Sequence, residues 1–252
     1  MTPLVLLTRA EADNQRLAGQ LEQRGISSLS VPLLHIEPEP ETPEQRSLML
    51  ELDRYRAVMV VSPVAARLGL ERLDRYWPQV PVGVDWFAVG AATAAELEAY
   101  GLRVHIPQDG QDSEALMRLA PWREVLAEPE PRLLIWRGVG GRELLAGEVR
   151  AAGGTVDYLE LYRRLPAPEL PRQLAAATAA GVRGILILSV QALEFWHQAA
   201  GAAWTQQRHW RCWVPGARVA ERARALGCDD VIVCHGADDA AVVAALAAHP
   251  LG

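Results

Sequence analysis

The chain has 252 residues, with 25 Lys and Arg against 31 Asp and Glu, a formal net charge of -6 and a sequence pI near 5.6. No basic excess is present to neutralise phosphates, which argues against non-specific nucleic-acid binding but leaves room for an anionic small molecule held by local donors. Half of the residues are hydrophobic and 22% are charged, enough chain and enough apolar content for two globular domains, and the longest apolar runs, such as Val58 to Val61, are far too short to span a membrane.

The N-terminus, MTPLVLLTRAEAD, reads as a strand followed at once by acidic residues, with no basic leader or small-residue cleavage site, so cytoplasmic residence is the expectation. Leu4 to Thr8 is the first predicted strand, Glu11 to Arg24 its helix and Ser27 to Val31 the next strand. The Glu-Pro alternation that comes next reads as an extended connector, and Ser47 to Arg54 as a short helix. Ala57 to Val61 is a strand, and Ser62-Pro63 fits a helix N-cap with proline at the first helical position. Then come the strand Trp86 to Val89, a turn at Gly90, the helix Ala92 to Tyr100, the strand Arg103 to Ile106, and a capped helix start after Asp109.

Strand, helix, glycine and strand recur over Arg132 to Leu161, leading to the Pro-marked segment Leu161 to Pro171. Gly184 to Leu188 is read as a strand and Val190 to about Ala200 as a helix, followed by a tryptophan-dense insertion holding Trp204, Trp210 and Trp213. The helix Arg218 to Leu226, the strand Val231 to Val233 and the helix Asp239 to Leu246 complete the chain. Short strands alternating with helices give parallel sheets, here two small doubly wound α/β domains.

The second half restates the first. Leu4 to Arg9 meets Arg132 to Arg137, Gly25 meets Gly153, and Leu34 meets Tyr162, all 128 positions on. Met59 to Ser62 meets Leu186 to Ser189 at 127, and Ala88 to Gly101 meets Val214 to Gly227 at 126. The residues allow two partitions: each half folding by itself, or each strand-helix-strand unit completing the other half's later strands. Two long extended segments, Pro32 to Pro43 and Leu161 to Pro171, running opposite ways as a double bridge favour the crossed arrangement.

Ligands of doubly wound domains bind beyond the carboxyl ends of the strands, where helix amides point outwards unpaired. That rule selects Thr8-Arg9, Ser62, Gly90 to Thr93, Ser113, Arg137 to Gly141, Ser189 and Pro215 to Ala217, from which Arg9, Ser62, Thr93, Ser113, Arg137, Gly138, Gly141, Ser189 and Gly216 are taken as candidate contacts together with Arg142 of the same loop. If the two domains face each other, these turns line one cleft. The loop Arg137 to Arg142 follows a strand, but Glu143 stands where a dinucleotide fingerprint needs another glycine, so nicotinamide and flavin are set aside. Its amides and guanidinium groups suit carboxylates instead. Tyr162, at the junction of the last strand and the bridge, carries a hydroxyl able to donate a proton or a hydrogen bond. The histidines do not cluster, and Cys212, Cys228 and Cys234 lack metal spacing and are expected to be buried free thiols.

The series LVLLTR, VVSPVAA, FAVGAATAAELEAYG, DSEALMRL, RLLIWRGVGGRELLAGEVRAAGGTVDYLELYRR and ILILSVQALEFW, in that order, resembles the uroporphyrinogen-III synthase family over nearly the whole chain. The resemblance implies two flavodoxin-like domains joined by a two-stranded bridge with crossed connectivity. On that reading residues 1–35 and 167–252 make domain one, 38–160 make domain two, and 33–43 and 161–171 make the bridge. It implies a hydro-lyase acting on the linear tetrapyrrole hydroxymethylbilane, which carries eight carboxylates, to give the macrocycle with ring D inverted. It further implies a monomer without metal or organic cofactor, and it allows a transient contact with the enzyme that supplies the bilane. Tyr162 corresponds to the family's tyrosine before the return bridge and Thr93 to the threonine of its GxxTA turn, and acetate and propionate groups are held largely by backbone amides. In the second half Val190 follows Ser189 and Arg218 stands at or beside the counterpart of Thr93, departures that leave contacts from domain one less securely placed. The rival reading is a two-lobed binding or regulatory protein for an anionic small molecule.

Overall fold

The computed structural model describes residues 4–108, 113–141 and 143–251. Its elements begin with β1 (Leu4–Leu7), α1 (Glu11–Glu22), β2 (Ser27–Ser30), β3 (Leu34–Pro38), α2 (Pro43–Leu50), β4 (Ala57–Val60), α3 (Pro63–Tyr76), β5 (Asp85–Ala88) and α4 (Ala91–Ala99). They continue with β6 (Val104–His105), α5 (Ser113–Met117), α6 (Ala120–Ala127), β7 (Arg132–Gly138), α7 (Leu144–Ala151), β8 (Thr155–Pro166) and α8 (Leu170–Ala179). The last are β9 (Val182–Leu186), α9 (Val190–Ala200), α10 (Trp204–Gln207), β10 (Arg211–Val214), α11 (Ala217–Ala225), β11 (Val231–Val233) and α12 (Asp239–Ala248). Among the described residues no helix is long and apolar enough to cross a membrane.

The chain divides into two compact units, unit 1 being Met1–His35 with Leu165–Gly252 and unit 2 being Ile36–Arg164. In unit 1 the sheet order is β11-β10-β9-β1-β2, with every neighbouring pair parallel. Leu6, Ile185, Cys212 and Val214 pack on one face against Leu174, Leu193 and Val219 of α8, α9 and α11. Val5, Leu7, Leu186 and Trp213 pack on the other against Leu17 of α1 and Leu246 of α12. Helices on both faces leave no solvated side, which is why strands such as β1 and β11 are apolar runs rather than alternating ones, while the edge strand β2 is mostly serine.

Unit 2 follows the same plan in the order β3-β8-β7-β4-β5-β6. Val58, Val60, Leu134 and Trp136 meet Ala65, Leu70 and Leu73 of α3, while Met59, Leu133 and Ile135 meet Trp122 of α6 and Val149 of α7. Trp136 is fully buried and meets Trp86 edge-on at 5.1 Å between ring centroids. A Cβ on Gly69 would lie 2.1 Å from the Trp136 ring, so the helix can cross the indole only with glycine there. Burying such a ring removes about 150–250 Å² from water, roughly 4–6 kcal/mol, against about 1–3 kcal/mol for its Nε1, which has no protein partner among the described residues.

The repeat maps onto the sheets. β4, β5 and β6 occupy in unit 2 the places that β9, β10 and β11 occupy in unit 1, and β7-β8 stands for β1-β2. β3 and β8 carry the chain between units as neighbouring strands. Glu39 N donates to Leu161 O at 2.9 Å and Ala167 N to Leu33 O at 3.1 Å; as one partner falls by six the other rises by six, the pattern of an antiparallel pair.

Several expected elements differ. The segment Leu161 to Pro171 is not extended throughout, because β8 runs on to Pro166 and α8 begins at Leu170. Pro43 likewise opens α2, with a Thr42/Gln45 capping box, and α6 begins with Ala120-Pro121. In all three the proline sits in the first turn, where its missing N–H would have had no helical partner, so it marks a start and not a connector. The insertion expected around Trp213 contains a strand, β10, whose residues lie 126 positions after those of β5 and bury Cys212, Trp213 and Val214. β9 is displaced two residues towards the N-terminus of the expected strand. The three thiols are buried and free as expected, and burial pushes those of Cys228 and Cys234 up to about 11.

Candidate functional site

In unit 2 the chain adds β5 and β6 on one side of β4, then returns to add β7 and β8 on the other. The carboxyl ends of β4 and β7 are therefore the topological switch point, where a crevice opens between diverging connections. A cavity of about 470 Å³ lies there. Met59, Val61 and Ile135 form apolar wall, and Ser113, Arg137, Gly140, Gly141 and Arg164 supply polar atoms.

Tyr162 reaches this place through an irregularity in β8. Its register against β7 slips after Arg137, which faces Glu160, so that Gly138 faces Tyr162. The extra residue sets Leu161 and Tyr162, consecutive in sequence, into the same apolar cluster, the re-aiming that a bulge achieves. The Tyr162 ring then lies close against Gly138, where a Cβ would come within 2.7 Å of it. Ser62 caps α3, its Oγ accepting from Ala65 N at 3.1 Å and standing 3.0 Å from the Tyr162 hydroxyl. Arg164 Nη2 donates to the same hydroxyl at 2.9 Å.

Arg137 is the second guanidinium of the cavity and is 9% exposed. It donates to Glu143 Oε1 at 2.8 Å, lies 3.4 Å from Glu160 Oε1, and stacks over Tyr158 at 4.1 Å. Tyr158 also hydrogen bonds Glu143, and Tyr158 first and Arg137 second hold the Glu143 carboxyl below its usual range. Burial and that carboxylate push the Tyr158 phenol up. Gly140 and Gly141 have φ of +73° and +129°, a backbone that favours glycine, and Gly140 N donates to Glu160 Oε1 at 3.2 Å. A carboxylate thus already sits on one loop amide.

Of the residues singled out from sequence, Ser62, Ser113, Arg137, Gly138, Gly141 and Tyr162 come together at this switch point. Thr93 does not line the cavity: it is a buried residue in the first turn of α4, and its counterpart at the α11 start, two residues past Ala217 as Thr93 is past Ala91, is Val219 and not Arg218. Arg9, Ser189 and Gly216 belong to unit 1, where Ser189 caps α9 through Ala192 N and Gly216 is the N-cap of α11. Arg142 lies outside the described residues. Sequence reading missed Arg164, Glu143 and Tyr158. Arg164 was accessible through strand periodicity, since it stands two positions from Tyr162 and shares its side of β8.

Fold and cavity define a two-unit α/β protein whose second unit brings amides, a hydroxyl pair and a guanidinium together at a switch point. The family model for uroporphyrinogen-III synthase HemD matches residues 15–244. Uroporphyrinogen-III synthase of Escherichia coli K12 is 30% identical over 256 residues, covering 96% of this chain and 99% of the relative. That of Salmonella typhimurium LT2 is 30% identical over 252 residues with the same coverage. Among solved structures, a mutant uroporphyrinogen III synthase from Thermus thermophilus aligns with a TM-score of 0.61 at 19% identity, covering 95% of this chain and 96% of that one. The enzyme from Helicobacter pylori 26695 aligns at 0.56 and 13% identity, covering 99% and 100%. These two likenesses speak for the fold. The chain belongs to the uroporphyrinogen-III synthase family.

Proposed function

We propose that the protein dehydrates and closes hydroxymethylbilane to uroporphyrinogen III with inversion of ring D. The observation that carries this is the family match over residues 15–244, together with full-length relatives of that activity at 30% identity. Loss of the ring A hydroxymethyl oxygen as water leaves an electrophilic azafulvene, which the substituted carbon of ring D attacks; the bond from that carbon to the methylene shared with ring C then breaks, and the methylene re-forms its bond at the free α-carbon of ring D, which gives up its proton. Spontaneous closure would leave ring D uninverted, so the protein must act through shape and orientation.

Tyr162 is the group we assign to the departing hydroxyl, as proton donor or as the hydrogen bond that orients it. Its support is a buried phenol held by Ser62 and Arg164 beside the cavity. The Gly138 to Gly141 amides are assigned to substrate carboxylates, a use for which the Glu160 contact at Gly140 is a precedent within the chain. We also infer doubly wound domains with crossed connectivity and a two-stranded bridge; the division into units, the strand orders and the antiparallel bonds of β3 with β8 support this.

Incubating the purified protein with enzymatically generated hydroxymethylbilane and separating the isomers tests the activity. Isomer III in excess is expected. Isomer I alone refutes it, and bilane binding without isomer III would instead favour a binding protein.

A further inference from the structure

The two guanidinium groups of the unit 2 cavity are in opposite states. Arg137 is buried between Glu143 and Glu160, so its charge is balanced from within the protein. Arg164 is exposed, lines the same cavity, and has no carboxylate partner among the described residues. A guanidinium carries five N–H donors in a planar fork and can only donate. One of these goes to the Tyr162 hydroxyl at 2.9 Å, and the guanidinium carbon stands 5.2 Å from the Tyr162 ring centroid. The remaining donors are open to an acceptor.

We propose that Arg164 binds a substrate carboxylate in this cavity and, while holding it, positions the hydroxyl of Tyr162. The proposal rests on the reading that the cavity takes the carboxylate-bearing bilane. A phenol oxygen has one proton and two acceptor positions. Arg164 fills one acceptor position, and Ser62, whose Oγ already accepts from Ala65 N, can fill the other with its own hydrogen. With both filled, the Tyr162 proton is free to be offered to a leaving oxygen. A carboxylate on the outer edge of the fork fixes the guanidinium plane and with it the inner N–H on Tyr162. Binding and proton orientation then depend on one side chain, and the free arginine, not Arg137, carries charge recognition in unit 2.

The test uses the full chain with Arg164→Gln, Arg164→Lys, Tyr162→Phe and the double variant Tyr162→Phe/Arg164→Gln. The readouts are KM, kcat and isomer ratio on hydroxymethylbilane, melting temperature, and binding of uroporphyrin III by quenching of tryptophan fluorescence at low and high salt. Loss of a charge-assisted pair weakens binding by about 10- to 100-fold. Arg164→Gln should show that rise in KM and in the uroporphyrin Kd, with less salt dependence than wild type and an unchanged melting temperature. Arg164→Lys should recover most of the affinity but not kcat, because an ammonium does not bridge two acceptors in one plane. In the Tyr162→Phe background Arg164→Gln should weaken binding without lowering kcat further.

Unchanged KM and Kd in Arg164→Gln overturn the binding role, and a kcat loss that multiplies with that of Tyr162→Phe overturns the positioning role. Wild type that binds uroporphyrin but forms no isomer III sinks the proposed activity while the binding comparison still decides for or against Arg164. Wild type that does neither overturns both.

Discussion

Arg9 stands two residues past the first strand of unit 1, and Arg137, 128 positions later, lies at the end of the corresponding strand of unit 2, one residue before Gly138. Both are mostly buried and both face carboxylates, Arg9 pairing with Asp239 and Arg137 with Glu143 and Glu160. Beyond the arginines the two units diverge. In unit 1 the helix α1 begins at Glu11, directly after the arginine turn, whereas in unit 2 a glycine loop intervenes before α7 begins at Leu144. Leu34 of the first copy is replaced by Tyr162 and Ile36 by Arg164. The strand-end arginine held by a carboxylate is therefore architecture shared by both units. The features assigned to chemistry are those that unit 2 adds: the loop, the cavity beside it and the hydroxyl with its guanidinium.

The comparison is broken most directly at Tyr162. Tyr162→Phe should lower kcat by up to about 10²- to 10⁴-fold, the usual range for a proton donor, with isomer III still favoured and little change in melting temperature. Near-wild-type turnover would return Tyr162 to the role of a packed ring.

Gly138→Ala puts a methyl within 2.7–3.1 Å of that ring, so Tyr162 must move. Overpacking of this kind costs about 1–3 kcal/mol, and turnover should fall with it. The counterpart in unit 1 is already alanine, Ala10, and Ala10→Gly should leave activity untouched. Denaturant titration and steady-state kinetics on the pair separate the units.

Acid titration tests the carboxylates. Asp239 is held below the ordinary aspartate value of 3.8, first by Arg16 and then by Arg9. Its contribution is present above that value and is lost as pH falls through the lower folded value, so wild type should lose this stability below about pH 4. Asp239→Asn should be less stable at pH 7 and should lose less on acidification. Glu143→Gln should have the smaller effect at pH 7, because Glu143 is half exposed and Arg137 keeps Glu160. Equal losses from the two variants would contradict this account of the paired arginines.

The smallest expected effect separates two serines that cap equivalent helices, Ser62 on α3 and Ser189 on α9, each accepting an amide at 3.1 Å. Either change to alanine should cost about 1 kcal/mol. Ser62→Ala should also reduce turnover, since it alone of the two contacts Tyr162. Equal turnover in the two variants would detach Ser62 from the site.

Much was legible in the residues alone. The offsets of 126 to 128 located matching strands and helices, and apolar runs without alternation declared parallel sheets covered on both faces. The boundaries that went astray were those at prolines, where one residue type serves both to end extended chain and to open a helix. The Gly138 loop stood out because a strand end followed by glycine is where such folds bind ligands, and Tyr162 because it lies where the last strand meets the bridge and matches the tyrosine of the family the chain resembles.

Tertiary structure decided the rest, for a physical reason that is the same in each case. Two copies with matching apolar strands can pair within a half or across halves, so the residue pattern left both partitions open; in the structure β1 and β2 lie in one sheet with β9, β10 and β11. Whether an arginine is free or balanced depends on carboxylates brought from other turns: Glu143 and Glu160 close on Arg137, while none closes on Arg164 among the described residues. The slip in β8 that turns Tyr162 onto Gly138 has no marker in the sequence of β8 itself, because a bulge is a mismatch between two strands and exists only once they are paired.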